Sequence, residues 1–369
     1  MTAVALRPGR TATACVLLIG AALGLPSCGN RTPAGPAPRH VTARAAAPAG
    51  GTTSPRAPAP GPVAPGGSGP SAGGGAGPPL PAPAALAPLG GPALAGQGAW
   101  RPLGRPAGGV PAVYETTLIP PGGTQPAGIA WMDTRVLAAR LYSGSISPGG
   151  GPYRYTAPIA PAQARSLVAA FNGGFQMKDG TGGYYTERRM VDPLRPGAAS
   201  LVISADGSVT VGAWGRDVTM TPHVVSVRQN LVPLVADGRP TVAAASRDWQ
   251  AWGSTCGATS CLHSVPGIEH QWRSGVGVTA DGALVYVTGP ALSPLQLAEL
   301  LARAGVIRGM QLDINPAWTV FITYHPAAGG FAAPANGSKL LPATVQGPWT
   351  FFTASWARDF VTMSARTAR

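Results

Sequence analysis

Asn172, Arg273 and Asp313 are three strongly polar side chains set in apolar or glycine-rich runs, and each is of a type that performs chemistry. Asn172 stands in Phe171-Asn172-Gly173-Gly174-Phe175, directly after the small-residue run Val168-Ala169-Ala170. Its amide can donate and accept at once. The paired glycines Gly173 and Gly174 allow positive φ or a close approach of backbone to a ligand; a tight turn or helix C-terminus would use the same residues. Arg273 enters the apolar run Trp272-Arg273-Ser274-Gly275-Val276-Gly277, and its planar fork suits phosphate or carboxylate. The plain alternative is a strand-edge ion pair. Asp313 closes Met310-Gln311-Leu312, so the pattern predicts a carboxylate at the end of a core strand. The alternative there is an Asx turn ahead of Pro316.

A second cluster is Gly182-Gly183-Tyr184-Tyr185 followed by Glu187, Arg188 and Arg189. Tyrosines with mixed charge on a glycine-rich loop suit stacking against a sugar, with Tyr185 as platform and Glu187 as a second carboxylate. A solvated loop would read similarly. Cys256 and Cys261 enclose four residues, which in an oxidising compartment points to a disulfide. With His263 and His270 the spacing departs from the usual zinc patterns, so no metal site is expected. Neither a P-loop, a dinucleotide fingerprint, a nucleophile elbow nor a His-Glu-x-x-His run occurs, and no cofactor is called for. Basic helices, zinc-finger spacing and aromatic-basic sheet motifs are also missing, which argues against nucleic acid as partner.

Positioning these groups falls to a scaffold marked by turns. Three Ala-Asp-Gly triplets, at 205–207, 236–238 and 280–282, punctuate the chain. The first and third join β-rich runs and predict hairpins. Their aspartates are therefore turn residues rather than catalysts. Two helices are expected. One runs from Pro161 to Ala170. The other spans Ser293 to Ala304, with Ser293 as N-cap, Pro294 at the first helical position, Gln296 completing a capping box and Gly305 beyond the end. Hairpins with a few packed helices predict an α+β (mixed α/β) fold over residues 110–369.

The first 27 residues combine Arg7 and Arg10 with an apolar run from Cys15 to Leu25, too short to span a bilayer, then Leu25-Pro26-Ser27-Cys28. This resembles a lipoprotein signal with Cys28 as the lipidated residue; an ordinary cleaved signal peptide is the alternative. Either places the mature chain outside the cytoplasm, anchored to the membrane in one case and secreted in the other. Residues 28–109 are rich in Pro, Ala and Gly without hydrophobic period, and predict a disordered tether. A flexible coil of that length has ends on the order of 50 Å apart. The chain carries 27 basic against 14 acidic residues. Eight of the arginines precede Glu115, the first acidic residue, which leaves 19 against 14, or +5, for the remainder. The excess basicity thus lies in signal and tether, where it suits anionic lipid or wall polymer.

Taken in order, Phe171–Phe175, Trp272–Gly282, the helix around Leu297-Ala298-Glu299-Leu300-Leu301 and the strand ending Leu312-Asp313 resemble the phosphodiester glycosidase family, in its actinobacterial lipoprotein form. The animal member of that family removes N-acetylglucosamine from a phosphodiester. The resemblance implies a hydrolase of the cell envelope acting on a sugar-1-phosphodiester or related glycoconjugate. Asp313 would serve as base or nucleophile, Arg273 as phosphate clamp and Asn172, with Gly173 and Gly174, as the substrate-orienting wall; Glu187 would be the second carboxylate. The family commonly continues Leu-Asp with glycines and a Ser or Thr, where this chain has Ile314-Asn315-Pro316-Ala317-Trp318. That stiffer turn supports the competing reading, a non-catalytic wall-polysaccharide-binding lipoprotein. A structural envelope protein without a carbohydrate ligand is a third.

Overall fold

Strand alternation and glycine punctuation dominate the architecture. The computed structural model describes residues 76–90, 92, 94–246, 252 and 269–367, all within the compact unit Gly66–Arg369. Cys28, Cys256 and Cys261, and with them the lipidation and disulfide expectations, lie outside the described residues. In chain order the elements begin with β1 (Arg101–Pro102), β2 (Val113–Leu118), β3 (Ala127–Met132), β4 (Leu137–Tyr142), the single-turn helix α1 (Pro161–Ala164) and β5 (Leu167–Asn172). There follow β6 (Tyr184–Thr186), β7 (Arg189–Asp192), β8 (Ala199–Ser204), β9 (Val209–Ala213), β10 (Val224–Gln229), β11 (Val235–Ala236), β12 (Arg239–Pro240) and α2 (Val242–Ala245). The chain closes with β13 (Gln271–Thr279), β14 (Leu284–Leu292), α3 (Pro294–Arg303), β15 (Val306–Gln311), β16 (Phe321–Tyr324), β17 (Gly337–Lys339) and β18 (Phe360–Ala365).

The strands form three antiparallel sheets. One has eight strands in the order β1-β2-β3-β14-β13-β15-β11-β12; two have five, β7-β6-β10-β8-β9 and β17-β16-β5-β18-β4. The expected α+β class is therefore wrong: among the described residues the fold is mostly β, with only short helices. The main misreading was residues 161–170. Only 161–164 are helical; 167–172 form a strand whose six residues are all buried. A strand covered on both faces loses the two-residue alternation that distinguishes it, and Leu-Val-Ala-Ala then reads as readily as helix.

Hairpins fall where the first and third Asp-Gly turns predict, between β8 and β9 and between β13 and β14, and the second triplet makes one as well, between β11 and β12. Helix α3 also matches its sequence signature. Ser293 Oγ accepts from Gln296 N and Gln296 Oε1 accepts from Ser293 N, so two end donors are satisfied reciprocally. Its Leu297, Leu300 and Leu301 are fully buried on one face of the large sheet, each contributing about 2 kcal/mol. Gly275 admits them: a Cβ there would stand 3.2 Å from both Leu297 Cδ2 and Leu301 Cδ1.

The large sheet's opposite face is covered by the two smaller sheets. Along β14, Leu284 and Tyr286 join this second core with Phe171, Leu201, Ile203 and Val361, while Val285 and Val287 face the side of α3. Part of the composition-defined tether belongs to the domain as well. Leu80, Leu86 and Leu89 pack on the α3-side core, Leu80 N donates to Asp133 Oδ2 at 2.8 Å, and Arg101–Pro102 pairs with β2. The ordered region thus begins well ahead of residue 110.

Candidate functional site

Where the three sheets converge, the ends of β5, β10 and β15, the middle of β13 and β14 and the start of β18 enclose a buried polar cluster. Asn172 is its hub. Its Nδ2 donates to Gly173 O at 2.8 Å and Ser274 Oγ at 3.0 Å, and its Oδ1 accepts from Tyr286 OH at 2.7 Å and Val320 N at 3.1 Å. Tyr286 in turn packs against Phe171 and Phe321, with ring centroids 5.3 and 5.1 Å away. All four bonding positions of the amide are therefore satisfied within the protein, so Asn172 fixes geometry and has no bonding position left for a substrate hydroxyl.

Ser274 carries the connection to Asp313. Its Oγ receives Asp313 N at 3.1 Å and donates to Asp313 O at 3.2 Å. The Asp313 carboxylate closes an Asx turn, with Oδ1 accepting from Ile314 N at 2.8 Å and Asn315 N at 2.9 Å. Its other oxygen, Oδ2, meets Arg358 Nη2 at 2.5 Å. The turn reading and the site reading of Asp313 thus hold together. Asp313 is 2% exposed. Burial pushes its pKa up to about 6 despite the opposing pull of Arg358 and the two backbone donors, and the neighbouring Asp359 adds to the rise.

Arg358 spans the cluster. Besides Asp313 it donates to Gly174 O at 3.1 Å, and its guanidinium lies 5.2 Å from the ring centre of Trp318. Among the described residues its buried Nε has no acceptor, nor has Trp356 Nε1, whose ring meets Trp318 edge-on at 5.1 Å. Behind this pair, Arg228 Nε donates to Asp359 Oδ2 at 2.8 Å and Nη2 to Oδ1 at 3.3 Å. Arg228 Nη2 also bonds Phe175 O. Burial works against the Arg228 charge, but Asp359 outweighs it and the pKa is raised. Asn230 completes the frame, accepting from Phe175 N at 3.2 Å and donating to Gln311 O and Leu312 O at 2.9 Å each.

The glycines are required by close packing rather than by positive φ. A Cβ on Gly173 would fall 2.0 Å from Asp359 Oδ2 and 2.8 Å from Asp359 O. One on Gly174 would sit 3.0 Å from Arg228 Cζ and Asn230 Cγ. What approaches this backbone so closely is a buried ion pair of the protein itself.

Three expected site residues lie elsewhere. Arg273 precedes Ser274 on β13 and so projects from the opposite face, toward α3. There its Nε donates to Leu292 O, Nη1 to Trp252 O and Gln311 Oε1, and Nη2 to Glu269 O. Among the described residues it makes no ion pair with a carboxylate, and burial lowers its pKa to about 9. The structure gives no support to the phosphate-clamp expectation for Arg273: four of the five N–H groups of its side chain already point at protein acceptors. Glu187 sits in the β6–β7 turn and accepts from Tyr155 N at 2.8 Å and Arg154 N at 3.1 Å, lining a different cavity. Tyr185 packs with Val202, Val218, Val224 and Val227 on the far face of β6; its neighbour Tyr184 is the one turned inward, with its OH 3.2 Å from Ser143 Oγ. Sequence reasoning had missed Arg228, Arg358 and Asp359, which no local motif marks. Among the described residues no group of three or more His, Cys, Asp or Glu side chains is placed to hold a metal.

No protein-family model matches the chain, and no curated protein matches it. Among solved structures it is similar to the zebrafish N-acetylglucosamine-1-phosphodiester alpha-N-acetylglucosaminidase catalytic domain, auto-inhibited by its pro-peptide. Identity there is 14%, the TM-score is 0.43, and the match covers 73% of this chain and 88% of that one. It is also similar to a hypothetical protein from Synechocystis, at 10% identity and a TM-score of 0.37, covering 71% of this chain and 64% of the other.

Proposed function

We propose that the domain is a cell-envelope glycoside hydrolase whose substrate is a sugar-1-phosphodiester or a related wall glycoconjugate. The observation that supports this best is the Asp313–Arg358 pair: a carboxylate titrating near neutrality, held by a guanidinium that keeps an unpartnered buried N–H. An entering phosphodiester anion would compete for Arg358 and release Asp313. The freed carboxylate would take a proton from the attacking water as the bond between the anomeric carbon and the phosphate oxygen breaks. The electron pair of that bond would leave on the phosphate, whose charge Arg358 neutralises. Phosphate is a good leaving group, so a strong general acid is less necessary than in ordinary glycosidases. Asn172, Ser274 and Tyr286 are positioning residues in this scheme, and Asp359 holds Arg228. The signal-like N-terminus supports an extracytoplasmic location with Cys28 as lipid anchor; no helix among the described residues is long and apolar enough to cross a membrane.

Asp313→Asn preserves the Asx turn and removes the base. Hydrolysis of a synthetic sugar-1-phosphodiester should fall by about 10²-fold or more, and retention of wild-type turnover would refute the assignment. A non-catalytic wall-polysaccharide-binding module is the second reading, supported by the near-complete burial of Asp313 and the full engagement of Asn172. Retention of wall polymer by the wild-type domain with no release of product would favour it.

A further inference from the structure

The cavity lined by Glu187 belongs to a second feature, separate from the Asp313 cluster. Strand β4 is the edge of its sheet, paired with β18 on one side only. Along it lie two cavities that share Ala139, Arg140 and Tyr155. One, of about 250 Å³, opens between β4 and the ends of β8 and β10; the other, of about 390 Å³, lies against β18 and the loop after α1. Each is many times the ~10–15 Å³ that a single water needs. Arg140 separates them, exposed on the outer face of the edge strand.

The charges are arranged unusually. The Arg140 guanidinium lies 4.1 Å from the ring centre of Tyr155, and that of Arg154 lies 5.3 Å from the same ring. Among the described residues neither side chain makes a hydrogen bond or ion pair. An aromatic face that orients a guanidinium leaves its N–H fork free for an anion. The first cavity also contains Arg188, which donates to Pro222 O at 2.9 Å, and the hydroxyl of Ser226. Its one carboxylate, Glu187, makes no ion pair with these cations among the described residues. It receives two successive backbone N–H groups, from Arg154 and Tyr155, and thereby fixes the loop that carries the Tyr155 platform. Glu187 and Arg188 both have left-handed backbone, with φ of 50° and 61°, a conformation costly for residues with side chains. In the second cavity Asp206 is held by Ser208 N and Oγ, and Arg366 donates to Asp206 O and Thr134 O.

From this geometry we propose that the β4 edge is a binding groove for an acidic oligosaccharide, with Arg140 and Arg154 receiving anions on successive sugar units that occupy the two cavities. The requirement for anions rests on the unpaired, ring-oriented arginines; the choice of a glycan rests on the envelope-hydrolase reading above. The groove would hold the polymer at a distance from the Asp313 cluster.

Calorimetric titration of the full chain with oligogalacturonate, a dextran phosphate oligomer, neutral dextran and inorganic polyphosphate tests this directly. Binding of one or both acidic glycans, weaker at higher salt, with neutral dextran and polyphosphate at least tenfold weaker, is the expected result. The carboxylate and phosphate arms identify which anion the groove prefers. Arg140→Gln and Arg154→Gln should each weaken the acidic-glycan affinity about tenfold, whereas Arg239→Gln, an exposed charge on β12, should leave it unchanged. Tyr155→Leu should weaken it with the net charge intact, which a purely electrostatic surface would not do. No measurable binding, equal binding of neutral dextran, or an unchanged affinity in the Arg140→Gln, Arg154→Gln double variant would overturn the groove. Equal binding of polyphosphate would overturn its assignment to sugar. Hydrolysis assayed on a small phosphodiester in Asp313→Asn fails or succeeds independently of every one of these arms.

Discussion

Arg273 and Arg358 are both buried arginines within one side chain of Ser274, yet they lie in opposite chemical settings. Arg273 points from β13 toward α3, where four oxygen acceptors take its donors and, among the described residues, no carboxylate pairs with it. Arg358 meets a carboxylate with a raised pKa, bonds one carbonyl and keeps Nε without an acceptor. A guanidinium whose donors go to three main-chain carbonyls and a side-chain amide is a structural tie, here joining residues 252, 269, 292 and 311. One paired to a titratable acid and left with a free donor can exchange partners. The two differ because adjacent residues of a strand face opposite sides of the sheet, so a one-residue step separates scaffold from site.

The largest effect expected is that of Gly173→Ala. The new Cβ would overlap Asp359 Oδ2, forcing apart the Arg228–Asp359 pair that closes the site's back wall. Destabilisation of about 4 kcal/mol or more is expected in denaturant titration. Gly174→Ala, whose contacts begin at 3.0 Å, should cost markedly less. If the two variants were equally stable, the packing that sets Gly173 apart would be wrong.

Next in size, Arg273→Met and Arg358→Met break the comparison itself. The first strands several buried acceptors and should cost about 3 kcal/mol of stability, with residual activity of whatever folds close to normal. The second leaves Asp313 without its cation, so stability falls by a similar few kcal/mol. It should also abolish phosphodiester turnover at saturating substrate. Measuring turnover number per folded molecule separates them. Equal loss from both would mean Arg273 does reach the substrate.

How much of this was legible in the sequence follows from the range over which each signal acts. Local signals survived: the Asp-Gly hairpins and the capping box at Ser293; Gly173-Gly174, read as allowing a ligand's approach, are instead crowded by Asp359, Arg228 and Asn230. Asn172 and Asp313 could be singled out because a polar residue at the end of an apolar run is conspicuous by itself. Arg358 and Asp359 could not, since Ala357-Arg358-Asp359-Phe360 has no pattern, and their significance comes from pairing with Asp313 and Arg228 across sheets. Arg273 was correctly placed on a core strand, but its face depends on register, which one strand cannot reveal. Glu187 looked catalytic by composition; its carboxylate is engaged by the backbone of a loop more than thirty residues earlier in the chain.

The smallest effect expected concerns pH and separates the two kinds of arginine site most finely. Burial raises Asp313 from the ordinary 3.8 to about 6. The folded state therefore binds this proton more tightly than the unfolded chain, and the cost of burying the charge develops as pH rises from 3.8 to 6. Above that window it amounts to about 3 kcal/mol, and below it nothing. Acidification from pH 7 to pH 4.5 should thus remove most of a penalty that Asp313→Asn never carries, so the wild type should gain stability relative to that variant. A relative loss on acidification would mean that Arg358 holds the carboxylate as a permanent ion, and the proposed base would be a structural pair after all. Turnover should respond in the opposite sense, falling as pH drops through 6, because the base must be ionised to accept a proton. Replacing Arg358 by Lys should keep the positive charge but lose the fork, moving that limb by less than about one pH unit while lowering its plateau. Arg273→Lys, on the face of the sheet away from Asp313, should leave the limb where it was.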